Sequence, residues 1–393
     1  MNSQEIKALD AQYVLPTYAR FDLCLMEGKG CRAKDPEGKS YLDFSSGIGV
    51  NSLGWADSAW AAAVAHQAAT LQHSSNLYYT LPGTQLAEVL CQRTGMDKVF
   101  FCNSGAEANE GAIKAARKYS RDKYGEGRAV IITLENSFHG RTMATLTATG
   151  QDQFHQHFHP FLPGFVHVPA GDIPALKAAL ASDVCAVMLE PIQGEGGVVP
   201  LDEGYLKELG ALCKSRDVLV IADEVQTGVG RTGAFLASEK TALAPDIVSL
   251  AKGLGGGLPL GAVLLAKSCS GALGKGDHAT TFGANPVCCA GAQVVVDRLT
   301  DDFLAGVAQK GALLKELLAT LPGVEAVSGD GLMLGVCFAP PLAAADVLNA
   351  AMENGLLCLL AKDRLRLLPP LTITEDELRE GVAILKKTLE ALA

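Results

Sequence analysis

Residues 246–257 read Asp246-Ile247-Val248-Ser249-Leu250-Ala251-Lys252-Gly253-Leu254-Gly255-Gly256-Gly257. The apolar run at residues 247–251 predicts a short buried strand. Lys252 stands at its end, and four of the next five residues are glycine, which stops regular structure there. Lysine is seldom buried without a partner. In such a place it is either a solvated strand-end residue or, as a neutral amine, a group able to condense with a carbonyl.

Working outward, the same pattern recurs. Residues 98–102, 129–134, 184–189 and 218–222 are further short apolar runs, and residues 107–124 and 205–215 between them read as helices. This alternation predicts an α/β fold whose large, mostly parallel sheet is covered on both faces. Ligands of such sheets gather at the carboxyl ends of the strands, where Asp223 and Lys252 both fall. An Ala-rich run at residues 59–70 is helical by propensity. Asp35-Pro36-Glu37-Gly38 reads as a hairpin turn. Later come a helix over residues 303–321, strands near 332–338 and 365–367, and a helix from 375 onward. The expected organisation is a first part of a smaller α/β domain at residues 1–55, a large domain at 56–295, and the rest of the smaller domain at 296–393.

The chain of 393 residues is 48% hydrophobic and 19% charged, the balance of a globular protein. A formal net charge of -10 disfavours nucleic acid and anionic membrane surfaces as partners. The N-terminus has no basic start followed by an apolar run, and no stretch is apolar for the length of a membrane span. The 11 cysteines include no Cys-x-x-Cys pair. Reduced, buried thiols in a cytoplasmic protein are expected.

Four stretches carry chemistry. Asn103-Ser104-Gly105-Ala106-Glu107 opens a helix, and Ser104 with Glu107 three residues on has the form of a capping box. N–H groups at such a helix start suit a phosphate, although a capped helix without a ligand reads the same way. Asp223, followed by Glu224-Val225-Gln226, is a carboxylate at the end of an apolar run. It is a cap, an ion-pair partner, or a fixed charge that keeps a heterocyclic nitrogen protonated. Phe138-His139-Gly140-Arg141 offers an aromatic plane and a guanidinium suited to bidentate carboxylate pairing. Glu190 and Glu195 share one Gly-rich loop and suit acid/base or ionic contacts. Residues 271–276 lack the spacing and final Ser/Thr of a phosphate loop. His155, His157 and His159 alternate as on one strand face, but no cysteine or carboxylate pattern joins them, and no metal is expected. Gly47-Ile48-Gly49 is too short for a dinucleotide fingerprint.

Taken together, a strand ending in aspartate and a later strand ending in lysine and glycines closely resemble the class III (subgroup II) aminotransferases. That family uses pyridoxal 5'-phosphate on the fold-type I architecture. The similarity runs from Gly38-Lys39-Ser40-Tyr41-Leu42-Asp43-Phe44 to Arg366-Leu367-Leu368-Pro369-Pro370-Leu371. Its most specific blocks are NSGAEANE, FHGRT, EPIQGEGG, ADEVQTGVGRTG, AKGLGGGLPLGA and HATTFGANP.

The resemblance implies that Lys252 holds the cofactor as a Schiff base and later shuttles a proton. Asp223 would pair with the pyridine nitrogen and Gln226 would approach the phenolic oxygen. Glu224 and Val225 belong to the same cofactor-binding block, Val225 lying against the ring and Phe138 over its opposite face. Ser104, Gly105 and Ala106 would seat the phosphate. Thr281 would reach the phosphate of a neighbouring subunit, so a homodimer with shared sites is implied. Arg141 and Thr280 would contact substrate. Glu195 and Arg366 would form a switch pair that opens when glutamate brings a second carboxylate. The implied reaction moves the terminal amino group of N2-acetylornithine to 2-oxoglutarate. Succinylornithine, succinyldiaminopimelate, ornithine, 4-aminobutyrate, or an aminomutase reaction are the alternatives. Glu195 disfavours the mutase, and Gly47, where ornithine-specific members tend to carry tyrosine, favours an acylated amine. Two places depart from the family pattern. Trp55-Ala56-Asp57-Ser58 stands where a His and a His-Pro pair are usual, and Gly283-Ala284-Asn285-Pro286 stands for Gly-Gly-Asn-Pro.

Overall fold

Seven strands form the central sheet in the computed structural model, which describes residues 1–392. Ala393, the last residue of the third expected segment, lies outside the described residues. In chain order the strands are β1 (Lys98–Cys102), β2 (Val130–Leu134), β3 (Phe165–Val168), β4 (Val184–Leu189), β5 (Leu219–Asp223), β6 (Ile247–Leu250) and β7 (Gly261–Leu265). Across the sheet they run β3-β2-β4-β5-β6-β7-β1. All neighbours are parallel except the two pairs that β7 makes, with β6 and β1. β3 and β7 have no counterpart among the predicted strands. β3 is a half-buried edge, and β7 emerges directly from a Gly/Pro-rich stretch, so neither shows a bounded apolar run.

The other central strands are buried on both faces, which is why they read as continuous apolar runs. On one side Ala186, Met188, Ile221, Ile247 and Val263 pack with Ala108, Ala112, Ile113 and Ala116 of the helix Gly105–Tyr124. On the other, Ile132, Val187, Leu189, Val220, Ala222, Val248 and Leu250 join the main core. Register then fixes the site. Ala222 pairs with Leu189 and Asp223 with Ser249, so Glu190, Asp223 and the approach to Lys252 emerge side by side at the sheet's carboxyl end.

Ile192–Gln193 and Val199–Pro200 form a small antiparallel pair, and both chain ends build the other two sheets. Glu27–Lys29, Arg32–Lys34 and Ser40–Asp43 form an antiparallel meander with the expected hairpin, and Leu356–Leu357 adds to it in parallel. Val324–Asp330, Met333–Phe338, Arg364–Leu367 and Leu359–Ala361 form an antiparallel sheet that carries Arg366. Residues 155–159 are turns and loop, so the three histidines share no strand face. Ser46, Gly47, Ile48 and Gly49 all have positive φ, winding one left-handed turn. At Ile48, with φ 66, that costs a β-branched residue about 1–2 kcal/mol. The departures from the family pattern are absorbed locally. Trp55 Nε1 donates to Asp43 at 2.8 Å, Asp57 caps the helix Ser58–Thr70, and Ala284 takes the left-handed backbone (φ 56) that a glycine would hold more cheaply.

Gly261 pairs with Cys102, and a methyl group on it would lie 2.5 Å from the Ser104 carbonyl oxygen. That backbone atom opens the helix Gly105–Tyr124 and has little room to yield. Gly261→Ala is expected to lower stability by about 1–3 kcal/mol, read as a fall in thermal midpoint. An unchanged midpoint would show that the helix start is free to shift.

Candidate active site

A cavity of about 520 Å³ opens at the carboxyl end of the sheet. Asp223 forms part of its wall, only 3% exposed. Its Oδ2 accepts Asn109 Nδ2 at 2.8 Å and lies 2.7 Å from His139 Nδ1. Its Oδ1 accepts the Val225 N–H at 3.0 Å, with the Ser249 hydroxyl at 3.5 Å. No lysine or arginine pairs with it among the described residues. A carboxylate held by dipoles and one imidazole at the edge of a cavity draws a cationic group toward it.

Glu190 emerges beside Asp223 and accepts the N–H groups of Phe138 at 2.9 Å and Gly194 at 3.2 Å. Burial pushes its carboxyl above the usual range; His139 opposes the shift and Asp223 adds to it. It thereby ties the Phe138 loop to the loop bearing Glu195, a holding role in place of the acid/base work its sequence suits.

Lys252 begins the short turn Lys252–Gly255 with a left-handed backbone, φ 43. Its amine lines the cavity, and removal from bulk water pushes its pKa below that of an ordinary lysine, with Glu195 and Asp223 opposing. The glycines after it make room: a methyl on Gly253 would lie 2.6 Å from Ser52 Oγ, and one on Gly256 2.7 Å from Val295.

Ser104 caps the helix Gly105–Tyr124 by accepting the Glu107 N–H at 3.2 Å. The predicted capping box is only half formed, because the Glu107 carboxylate accepts the backbone and side-chain N–H groups of Asn103 at 2.6 and 2.7 Å. Gly105 and Ala106 line the cavity, and first-turn N–H groups have no intrahelical acceptor. Gly105 also packs on Val225, whose Cγ1 a methyl group would meet at 2.6 Å.

Arg366 is 3% exposed. Its Nη1 donates to Glu195 Oε1 at 2.5 Å and to Gln226 Oε1 at 3.1 Å. Gln226 lines the main cavity, whereas Glu195 lines a second, adjoining one of about 600 Å³.

Of the residues singled out from the sequence, Ser104, Gly105, Ala106, Phe138, Arg141, Asp223, Val225, Gln226 and Lys252 come together on the main cavity. Glu195 and Arg366 stand beside it, joined to it through Gln226. Glu224 does not reach it. Its buried carboxylate accepts Thr227 Oγ1 and the N–H groups of Ala237 and Ser238, all within 2.8 Å, because alternation after Asp223 turns it away. Thr280 accepts Asn103 Nδ2 at 2.9 Å, next to the helix start. Thr281 is exposed and outside the chain's own cavity. Glu190, read from the sequence as suited to acid/base or ionic contacts, also lines the main cavity; Asn109 and His139 were not singled out, although each lies within a quoted block. A polar Asn109 among the buried alanines of its helix face was the available signal.

This arrangement is that of an aminotransferase, and the chain belongs to the family described as Aminotransferase class-III, whose profile matches residues 13–389. It is 54% identical to the acetylornithine aminotransferase of Haemophilus ducreyi over 100% of both chains. It is 45% identical to that of Methanothermobacter thermautotrophicus, again over 100% of both. Among solved structures it is similar to the ornithine aminotransferase of Toxoplasma gondii, with TM-score 0.95 and 33% identity over 100% of this chain and 96% of that one. The N-acetylornithine aminotransferase of Stenotrophomonas maltophilia matches with TM-score 0.84 and 36% identity over 98% of each.

The lowered pKa of Lys252 has a sign that can be checked. The unfolded chain binds a proton more tightly at this position, so its stabilising contribution is present above the ordinary lysine pKa and lost as pH falls through the folded value. In ligand-free protein, reductive alkylation by a small aldehyde is expected to modify Lys252 faster than exposed lysines. Its rate should rise with pH through a midpoint below 10.5, followed by peptide mass spectrometry. A midpoint at or above that value would contradict the burial argument.

Proposed function

We propose that the chain moves the terminal amino group of N2-acetyl-L-ornithine to 2-oxoglutarate, giving N-acetylglutamate 5-semialdehyde and glutamate, an activity of arginine biosynthesis. Pyridoxal 5'-phosphate is the proposed cofactor. The observation that carries the reading is the 2.5 Å Arg366–Glu195 pair beside a cavity walled by Lys252 and Asp223. The donor set suits the cofactor: a carboxylate for a pyridinium, helix-start N–H groups for a phosphate, and an amine of lowered pKa for an aldehyde.

Bound pyridoxal phosphate supplies an aldehyde with which amines condense and a heterocycle that withdraws electrons from the neighbouring C–H bond. Asp223 holds the proton on the ring nitrogen, and Asn109, His139 and the Val225 N–H hold Asp223. Gly105 and Ala106 N–H groups, with the Ser104 hydroxyl, take the phosphate. Phe138 and Val225 would be apolar neighbours of the cofactor ring, and Gln226 would serve its phenolic oxygen. Lys252 would anchor the cofactor and, as a free neutral amine, would be the group that holds and moves the proton. Arg141 would receive the carboxylate of the acylated amino acid, with Thr280 as a further substrate contact. With that substrate the Glu195–Arg366 pair stays closed. The second carboxylate of glutamate displaces Glu195 and pairs with Arg366, which is buried and needs a negative partner in either state.

A cytoplasmic homodimer belongs to this reading. Leu77, Tyr78, Tyr79, Leu81 and Phe282 are exposed, an apolar surface of the kind that partners cover. Asn76 bonds the carbonyls of Thr280 and Gly283, which joins these segments beside Thr281, the residue proposed to reach the partner's phosphate. No helix among the described residues is long and apolar enough to cross a membrane. The acylated amine is preferred to ornithine because relatives at 54% and 49% identity bear the acetylornithine name and Gly47 offers no side chain.

Steady-state rates on N2-acetylornithine, succinylornithine, succinyldiaminopimelate, ornithine and 4-aminobutyrate, each with 2-oxoglutarate, test the substrate. Slow turnover of N2-acetylornithine relative to another amine would sink the choice. Lys252→Ala is expected to remove activity together with the visible absorbance of a covalently held cofactor; persistence of that absorbance would place the anchor elsewhere. Glu195→Ala is expected to impair the acylornithine half-reaction about ten- to a hundredfold more than the glutamate half-reaction. Equal loss in both half-reactions would remove the switch.

A further inference from the structure

Arg141 lines the main cavity, yet no carboxylate or carbonyl pairs with it among the described residues. What holds it is aromatic. Its guanidinium carbon lies 3.9 Å from the centroid of the Phe154 ring and 5.7 Å from that of Phe138. The two rings meet edge to face, 5.9 Å apart at 78°. A contact with an aromatic ring consumes none of the guanidinium N–H groups, so the fork that binds a carboxylate bidentately stays free.

Phe154 is itself fixed. It ends the short turn Asp152–Phe154, where its N–H donates to the Gln151 carbonyl at 3.0 Å. The Gln151 amide donates to the carbonyls of Asn136 and Ser137 at 3.3 and 3.1 Å. Gly150, just before the turn, lies so close to the end of β2 that a methyl group would come within 2.2 Å of the Leu134 oxygen. The turn is thus pinned to the strand that also leads to Phe138.

We propose that Phe154 is a positioning residue for Arg141, holding the guanidinium in the plane that receives a substrate carboxylate. Phe154 thereby sets the affinity of the site for carboxylate-bearing amines without touching the reacting atoms. The proposal rests on the reading of Arg141 as the carboxylate clamp. The Arg141 side chain is exposed and would otherwise lose rotamer freedom at the moment of binding. Ordering it beforehand removes that cost.

Single-turnover half-reactions, followed in the visible spectrum, separate binding from chemistry. Phe154→Leu is expected to raise the apparent dissociation constant for N2-acetylornithine about two- to thirtyfold, the range of a cation–π contact. The limiting rate should stay within about twofold. Phe154→Tyr should restore the affinity. With 1,5-diaminopentane, an amine without a carboxylate, used as substrate or competitor, Phe154→Leu and the unaltered protein should behave alike. Calorimetric binding of glutarate, which cannot react, should weaken in parallel. Arg141→Ala separates the two layers. If it raises the N2-acetylornithine constant while Phe154→Leu does not, the positioning role falls and the clamp stands. If it changes nothing, both fall. Equal loss of limiting rate with both amines in Phe154→Leu would mark a general defect and overturn the proposal.

Discussion

A carboxylate taken out of water at the end of a strand is costly unless donors surround it, and the head of the central sheet is built around that requirement at Asp223. The strand β5 delivers the residue, the helix Gly105–Tyr124 contributes Asn109, and the loop after β2 contributes His139. An N–H two residues along its own chain, from Val225, closes the set. Three separate segments are therefore held in register by one side chain. Because the same segments carry Gly105, Phe138 and Val225, fixing the carboxylate also fixes the walls of the cavity. Lys252 is placed by the neighbouring strand, whose pairing of Ser249 with Asp223 is set by the sheet itself.

The second organising charge is Arg366, and it comes from a different sheet. Its strand, Arg364–Leu367, pairs with Met333–Phe338 and Leu359–Ala361. Arg231 donates from the loop after β5 to the carbonyls of Leu332 and Pro369, which bracket that strand in space. Arg231 is satisfied by carbonyls alone, whereas Arg366 is neutralised by a carboxylate. Glu195, flanked by Gly194 and Gly196, is about a quarter exposed. In the proposed reaction that pairing of a buried arginine with a partly exposed glutamate would let one cavity accept amines with different numbers of carboxylates. Gln226, bonded to Arg366 and lining the cavity, is the physical link between the gate and the chemistry.

Much of this was legible in the sequence. The strands ending at Leu134, Leu189, Asp223 and Leu250 are mostly apolar because both faces are buried, the edge strand ending at Cys102 is mostly apolar as well, and the chemistry sits at or just after the end of each run. The antiparallel strand β7 was not legible, since its start is masked by the glycines and prolines before it. Adjacent acidic residues point to opposite sides, and the sequence does not show that the Asp223 side chain meets the cavity while that of Glu224 turns away. Asn109, His139 and Glu190 act through other residues; only the polar Asn109 on an alanine-rich helix face stands out in the sequence, and spacing does not show which side chain holds a neighbour. Phe154 is a plainer case: a phenylalanine in a polar loop reads as packing until the Arg141 guanidinium is seen on its face.

The central claim is that a single cavity serves two amino-group transfers in turn, the gate closing for one substrate and opening for the other. The most direct measurement is the initial-velocity pattern with N2-acetylornithine and 2-oxoglutarate varied together. The account predicts parallel double-reciprocal lines, because the first product leaves and the amino group stays on the protein before the second substrate binds. Intersecting lines, which require both substrates to be bound at once, would contradict it.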